Sequence, residues 1–242
     1  MIPGMMCDER IFAPQIEGLS DSIRIIVADI SGHSTVQDLA AEVLKKSPPK
    51  FHLLGHSMGG IVAMEMYAQE PNRIEKLVLI DTNHKAELEE VKAMRVPQMK
   101  AAKEGKLVDV MRDEMKPNYL DASDNRESIL HTCMEMAKSM GPEVFINQSK
   151  ALQTRVDQQS TLRLIAVPVL VICGSNDKLC PVERHELMHS IINDSELKII
   201  NNAGHMPTLE QPKETTEVLK SFGLSKNRRA KPGNITVERY WV

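Results

Sequence analysis

No apolar run in the 242 residues approaches the length of a bilayer span, so no membrane-crossing helix is expected. Nor is there a strong charge of either sign. The 30 Lys and Arg against 33 Asp and Glu leave a formal net charge of −3, which lacks the basic excess that a nucleic-acid backbone demands. The opening Met-Ile-Pro-Gly-Met-Met-Cys-Asp-Glu-Arg lacks the basic start and apolar core of a signal peptide, and the expected compartment is the cytoplasm. Four cysteines (Cys7, Cys133, Cys173 and Cys180) show no C-x-x-C and no metal-type spacing, so they read as reduced structural thiols. No metal and no cofactor is expected. What is present is ordinary for a globular chain: 42% hydrophobic and 26% charged residues, in a length that buries a full core in one domain with an insertion.

The apolar segments alternate with helical ones. Strands are expected over residues 24–29, 51–54, 76–81, 167–173 and 197–201, and helices over 35–46, 61–69 and about 213–222. Near-continuous apolar strands separated by helices imply a parallel sheet covered on both faces, with ligands beyond the carboxyl ends of the strands. Between residues 81 and 167 no strand is expected. Segments 86–102, 107–116, 125–139 and 142–154 have helical spacing, with Pro142 at a first-turn position. This reads as a helical cap over residues 84–162, inserted after the strand at 77–81, with the core formed by 1–83 and 163–224. Seven of the fifteen methionines fall in it (Met94, Met99, Met111, Met115, Met134, Met136 and Met140), either as helix-core filler or as lining of a pocket for varied acyl groups.

The chemistry-bearing stretch is Phe51-His52-Leu53-Leu54-Gly55-His56-Ser57-Met58-Gly59-Gly60, an apolar run, then Gly-x-Ser-x-Gly, then a helix. A serine at a sharp strand-to-helix turn is strained, and glycines two residues to either side remove the Cβ atoms that would clash. A serine hydroxyl is a poor nucleophile at neutral pH; it needs an imidazole to take its proton and a carboxylate to fix that imidazole's tautomer. Asp177 follows the strand Val-Leu-Val-Ile-Cys-Gly, and His205 follows Ile-Ile-Asn-Asn-Ala-Gly. The chain order is therefore Ser, Asp, His. Asp81 also ends a strand and competes for the acid role, although a turn residue bonded to backbone is the preferred reading. His56, beside the serine, would face away from it and pack. His52, His84, His131, His185 and His189 show no ligand spacing.

The elbow Gly-His-Ser-Met-Gly-Gly, the turn Gly-Ser-Asn-Asp-Lys-Leu-Cys-Pro and the segment Ala-Gly-His-Met-Pro-Thr-Leu-Glu-Gln-Pro together resemble the α/β-hydrolase superfamily, most nearly its small capped carboxylesterases, over residues 3 to about 224. The resemblance implies an α/β-hydrolase fold with Ser57 as nucleophile, His205 as general base and then acid, and Asp177 as its orienting carboxylate. Pro3-Gly4-Met5 is similar to the family's oxyanion segment, where His-Gly is more usual, and the implied hole is formed by the backbone N–H groups of Met5 and Met58. The expected activity is cofactor-independent hydrolysis of small to medium carboxylic esters through an acyl-enzyme. A carbon–carbon bond hydrolase, a lactonase or a perhydrolase on the same triad, and a non-catalytic receptor on this scaffold, are the alternatives. The cap's twelve Lys and Arg against thirteen Asp and Glu advertise no acidic carrier-protein substrate, and neutral small-molecule esters fit better.

Both ends depart from that family's pattern. Gly4 comes almost at once, so a central strand between those at 24–29 and 51–54 is expected to be missing. Its absence would leave backbone groups unpaired in a buried sheet. After a basic linker, the tail's residues 234–242 are rich in strand-favouring types. The tail over 225–242 is either an accidental extension or the missing strand, inserted within one chain or between two chains of a homodimer.

Overall fold

The computed structural model describes residues 1–123 and 125–224. In chain order its elements are α1 (Ala13–Leu19), α2 (Val36–Lys46), β1 (Phe51–His56), α3 (Met58–Gln69), β2 (Ile74–Ile80), α4 (Glu89–Ala101), α5 (Arg126–Thr154), α6 (Gln159–Arg163), β3 (Val169–Gly174), α7 (Val182–Ile191), β4 (Ser195–Ile200) and α8 (Pro212–Ser221). The four strands form one parallel sheet in the order β1-β2-β3-β4. Side chains alternate across a strand, and here both faces are apolar. Leu53, Leu77, Leu79, Val169 and Val171 join α2 and α3 in one buried layer. Leu54, Val78, Ile80, Leu170 and Ile172 join Phe12, Leu19 and Leu219 in the other. At about 1.5–3 kcal/mol per fully buried side chain, these two layers hold the sheet between its helices.

Local signals set the helix ends. Thr35 caps α2, its hydroxyl accepting from the Asp38 N–H at 3.1 Å, while Lys45 and Lys46 face the negative end of the helix dipole. No helix among the described residues is long and apolar enough to cross a membrane.

The strand expected over 24–29 does not form, and its neighbouring slot is not empty. Met1 donates its N–H to the Ile26 carbonyl at 2.7 Å and accepts from the Ala28 N–H at 2.8 Å. On the other side the Ile2 N–H donates to Leu54 O at 2.7 Å, and the His56 N–H donates to Ile2 O at 3.0 Å. Met1 and Ile2 therefore lie between the extended segment and the carboxyl half of β1, bridging parallel at Gly55. Two residues satisfy the backbone there without making a ladder. The tail at 225–242, and the expectation that it supplies a strand, lie outside the described residues.

Between β2 and β3 the chain is helical. α5 is two helical halves that meet at Gly141, whose φ 80° and ψ 176° are not helical, so the break falls between the two helices expected over 125–139 and 142–154. Pro142 follows the kink, where its missing N–H costs little. The segment after α4 reverses at Gly105 (φ 87°) and then runs as wide helical turns through Val110–Met115 rather than as a regular helix. All four cysteines are buried and unpaired.

The N-terminal pairing packs against α3: a Cβ on Gly59 would lie 2.2 Å from the Ile2 carbonyl oxygen. Gly59→Ala must push residues 2 and 3 off β1. The expected cost is about 3 kcal/mol, lowering Tm by roughly 10 °C. A thermal melt checks this, and an unchanged Tm would show that the segment is not packed there.

Candidate active site

Ser57 sits between β1 and α3 with φ 53° and ψ −118°, a conformation side chains rarely adopt. The turn is tied at both backbone groups. The Ser57 N–H donates to Ile80 O at 2.9 Å, and the Thr82 hydroxyl donates to Ser57 O at 2.6 Å. Gly55 is required because a Cβ there would meet the Gly59 carbonyl at 2.3 Å. The strain, of order 1–3 kcal/mol, is held by these contacts and turns the hydroxyl out of the sheet.

The structure brings His205 and Asp177 to that hydroxyl. His205 Nε2 lies 2.9 Å from Ser57 Oγ, and His205 Nδ1 lies 2.8 Å from Asp177 Oδ2. Asp177 Oδ1 accepts the N–H groups of Leu179 (2.8 Å) and Cys180 (3.0 Å), so the carboxylate is fixed from both sides. Burial alone would raise the Asp177 pKa. The charge and hydrogen bond of His205, with the Cys180 N–H, outweigh it and bring it down to about 2. An ionised carboxylate there fixes the orientation and tautomer of the imidazole. Met5 and Met58 line the cavity beside Ser57, and among the described residues neither backbone N–H has a hydrogen-bond partner.

Asp81 is brought close but does not touch His205. It is fully buried, with φ 42°, and its Oδ1 accepts the Gly174 N–H at 2.9 Å. Burial and the nearby charge of Asp177 push its pKa well above the usual range, which disfavours its charged form. His56 faces away from the hydroxyl, as its position beside the serine suggests, and does structural work. Its Nε2 is 2.7 Å from the His205 carbonyl oxygen, and burial lowers its pKa to about 3, so the neutral ring donates there.

Two groups to which the sequence analysis gave no role complete the support. The Glu210 carboxylate accepts the N–H groups of Gly204 (2.9 Å), Met206 (3.0 Å) and Asp121 (2.7 Å), clamping the loop on both sides of His205. The His205 N–H donates to Tyr119 O at 2.7 Å, and the Tyr119 ring meets the imidazole edge-on at 5.5 Å. Glu210 lies within the quoted Ala-Gly-His motif, five residues past the histidine, and that spacing was the available signal.

Asp177, Cys180 and His205 cluster within 4.8 Å, as do Asp81, Cys173 and His185. Both ring nitrogens of His205 are engaged with Ser57 and Asp177. Those of His185 meet the Thr82 N–H (3.1 Å) and Pro181 O (3.2 Å). Each imidazole nitrogen that a metal would need already has a partner. Burial raises the Cys180 thiol well above its ordinary pKa, so it is no competing nucleophile.

The triad-like array opens on a cavity of about 400 Å³ between the sheet's carboxyl edge and the helices from α4 to α5. Leu88, Val91, Met94, Met115 and Leu152 supply apolar wall. Of the seven methionines between β2 and β3, only Met94 and Met115 line the cavity; Met111 and Met136 are core, and Met99, Met134 and Met140 pack against it.

A parallel sheet with a strained serine at a strand-to-helix turn, followed in order by an acid and a histidine, defines an α/β hydrolase of the esterase type. The family model for Serine aminopeptidase, S33, matches residues 13–212, and the chain belongs to that family. It is similar to 3-oxoadipate enol-lactonase 1 of Acinetobacter baylyi, 23% identical over 89% of this chain and 84% of that protein. Among solved structures it is similar to a thermophilic esterase from Thermogutta terrifontis with malate bound, at TM-score 0.83 and 26% identity over 91% of this chain and 87% of that one. The enol-lactonase from Burkholderia xenovorans LB400 shares the fold, at TM-score 0.80 and 22% identity over 91% and 89%.

Glu210→Gln leaves one oxygen to serve three N–H donors, so His205 loses its fixed position. The expected result is a kcat reduced by about tenfold to a hundredfold with KM little changed, measured on a chromogenic ester. Acid should also act through His56, whose pKa is lowered to about 3, and His185, lowered to about 4, both mainly by burial. Below an unfolded value of 6.5 the unfolded chain takes up protons that the folded chain refuses, so each histidine costs about 1.4 kcal/mol of stability per pH unit as pH falls. Asp81 titrates with the opposite sign, so the difference between wild type and variant isolates the histidine. In urea unfolding between pH 6 and pH 5, His56→Gln should show a slope lower by about one proton.

Proposed function

We propose that Ser57 is the nucleophile of this hydrolase, that His205 is its general base and then acid, and that Asp177 orients the imidazole, for the hydrolysis of small to medium carboxylic esters. The observation that carries this is the continuous hydrogen-bonded line Asp177–His205–Ser57, at 2.8 and 2.9 Å, opening on a cavity of about 400 Å³. His205 Nε2 takes the hydroxyl proton as Oγ attacks the ester carbonyl. Charge develops on the carbonyl oxygen, and the unpartnered N–H groups of Met5 and Met58 receive it. One such donor is worth about 3–4 kcal/mol of transition-state stabilisation. The imidazolium then protonates the departing alcohol, leaving an acyl-enzyme, and the same imidazole activates the water that releases it. Helices 84–162 act as the cap that shapes the acyl and alcohol sites.

A lactone is an internal ester and passes through the same steps. The similarity to an enol-lactonase favours that substrate type as the second reading.

Ser57→Ala should reduce turnover of aryl esters by at least about 10⁴-fold while leaving the melting curve unchanged, since the hydroxyl packs little. A fluorophosphonate probe should label the wild type and not the variant. Near-native turnover in folded Ser57→Ala would sink this reading.

A further inference from the structure

The cap is close to neutral as a whole, yet the cavity is not. Its charged lining consists of Arg95, Arg155 and Arg184 against Glu87 and Glu114, an excess of one positive charge over these five residues. Glu87 is almost fully buried and shared: Oε2 accepts Arg95 Nε at 2.6 Å, and Oε1 accepts Arg155 Nη2 at 2.9 Å. One carboxylate thus serves two guanidinium groups whose side chains are 11% and 8% exposed. Arg155 also spends its Nε on the Lys85 carbonyl at 3.0 Å. Glu114 is occupied by the Gln98 amide at 2.9 Å.

Two sets of donors remain. The terminal nitrogens of Arg95 have no oxygen acceptor among the described residues, and Nη1 rests 3.8 Å from Met5 Sδ, next to the reacting serine. Arg184 is half-buried at the cavity wall, and its guanidinium has no hydrogen-bond or ion-pair partner among the described residues. Burial first, and then the charges of Arg95 and Arg184, lower the Arg155 pKa against the opposing pull of Glu87. Charges drawn out of water are ordinarily paired, and a half-buried guanidinium without a counter-charge at a cavity wall is a site where an anion can bind. The planar fork of arginine matches a carboxylate.

We propose that the cavity selects esters or lactones that carry a second, free carboxylate, held by Arg184 and the terminal nitrogens of Arg95. This rests on the ester-hydrolase reading for its chemistry, and it narrows the substrate from neutral esters to acid half-esters. The reaction is unchanged: water adds across the scissile bond, the alcohol leaves with the proton delivered by His205, and the distal carboxylate stays intact.

The test compares kcat/KM for para-nitrophenyl hydrogen glutarate and para-nitrophenyl pentanoate, which match in chain length and differ in the terminal carboxylate. The wild type should prefer the half-ester by about tenfold, equivalent to about 1.4 kcal/mol. Arg184→Gln, which removes no existing pair, should bring that ratio to about one. A wild-type ratio at or below one, or a ratio unmoved by Arg184→Gln, overturns the proposal. A second arm does not need turnover: glutarate binding to Ser57→Ala, measured by calorimetry, should weaken about tenfold when Arg184→Gln is added. Absence of binding to Ser57→Ala, or equal binding to the double variant, also overturns it. If no ester is cleaved and the fluorophosphonate fails to label, the hydrolase reading has failed, and the glutarate arm still decides the carboxylate site.

Discussion

The turn at Ser57 is the constraint on which the rest of the site depends. A side chain at φ 53° and ψ −118° is held only because its backbone is pinned to Ile80 and Thr82 on β2 and its following edge. Two missing Cβ atoms, at Gly55 and Gly59, let α3 and the N-terminal segment approach to van der Waals distance. Because Ile2 pairs with β1 directly beneath that turn, the chain reaches Met5 within three residues and brings it to the same cavity as Met58. The strain at the serine and the placement of both free N–H groups are one packing solution.

Behind the serine, burial is used in opposite directions. It disfavours the charged forms of Asp81, His56 and His185, and it would do the same to Asp177 were it not for His205 and the Cys180 N–H. Of these four groups, Asp177 alone is driven toward its charged form. That contrast, more than the identity of the acid, is what makes Asp177 a useful partner, because an unscreened single charge acts strongly at 2.8 Å in a water-poor site. Glu210 spends its own charge on three N–H groups and so holds the histidine loop without competing for the ring.

The cavity adds a third electrostatic layer. Helices that are nearly neutral in sum contribute two arginines to the cavity wall, α7 contributes another, and a shared glutamate compensates only part of them. Glu87 and the Lys85 carbonyl engage part of the Arg95 and Arg155 heads, and the same residues both line the cavity and charge it.

The sequence by itself determined four strands of the sheet and their parallel sense. Strands at 51–54, 76–81, 167–173 and 197–201 were legible from continuous apolar runs, and the places of Ser57, Asp177 and His205 just past strand ends singled out the three side chains that folding brings together. These are local signals, carried by period and by neighbours in the chain. Tertiary structure decided the rest. The extended segment at 24–29 reads as a strand but lacks a full-length partner, because Met1 and Ile2 fill only part of the slot beside it. Asp81 and Asp177 look alike in sequence; they are separated by which one reaches His205 and which is sealed beneath it. Glu210, Tyr119 and the arginine cluster act through contacts between residues brought together only by folding, and a periodic pattern holds no record of what a distant segment will place opposite it.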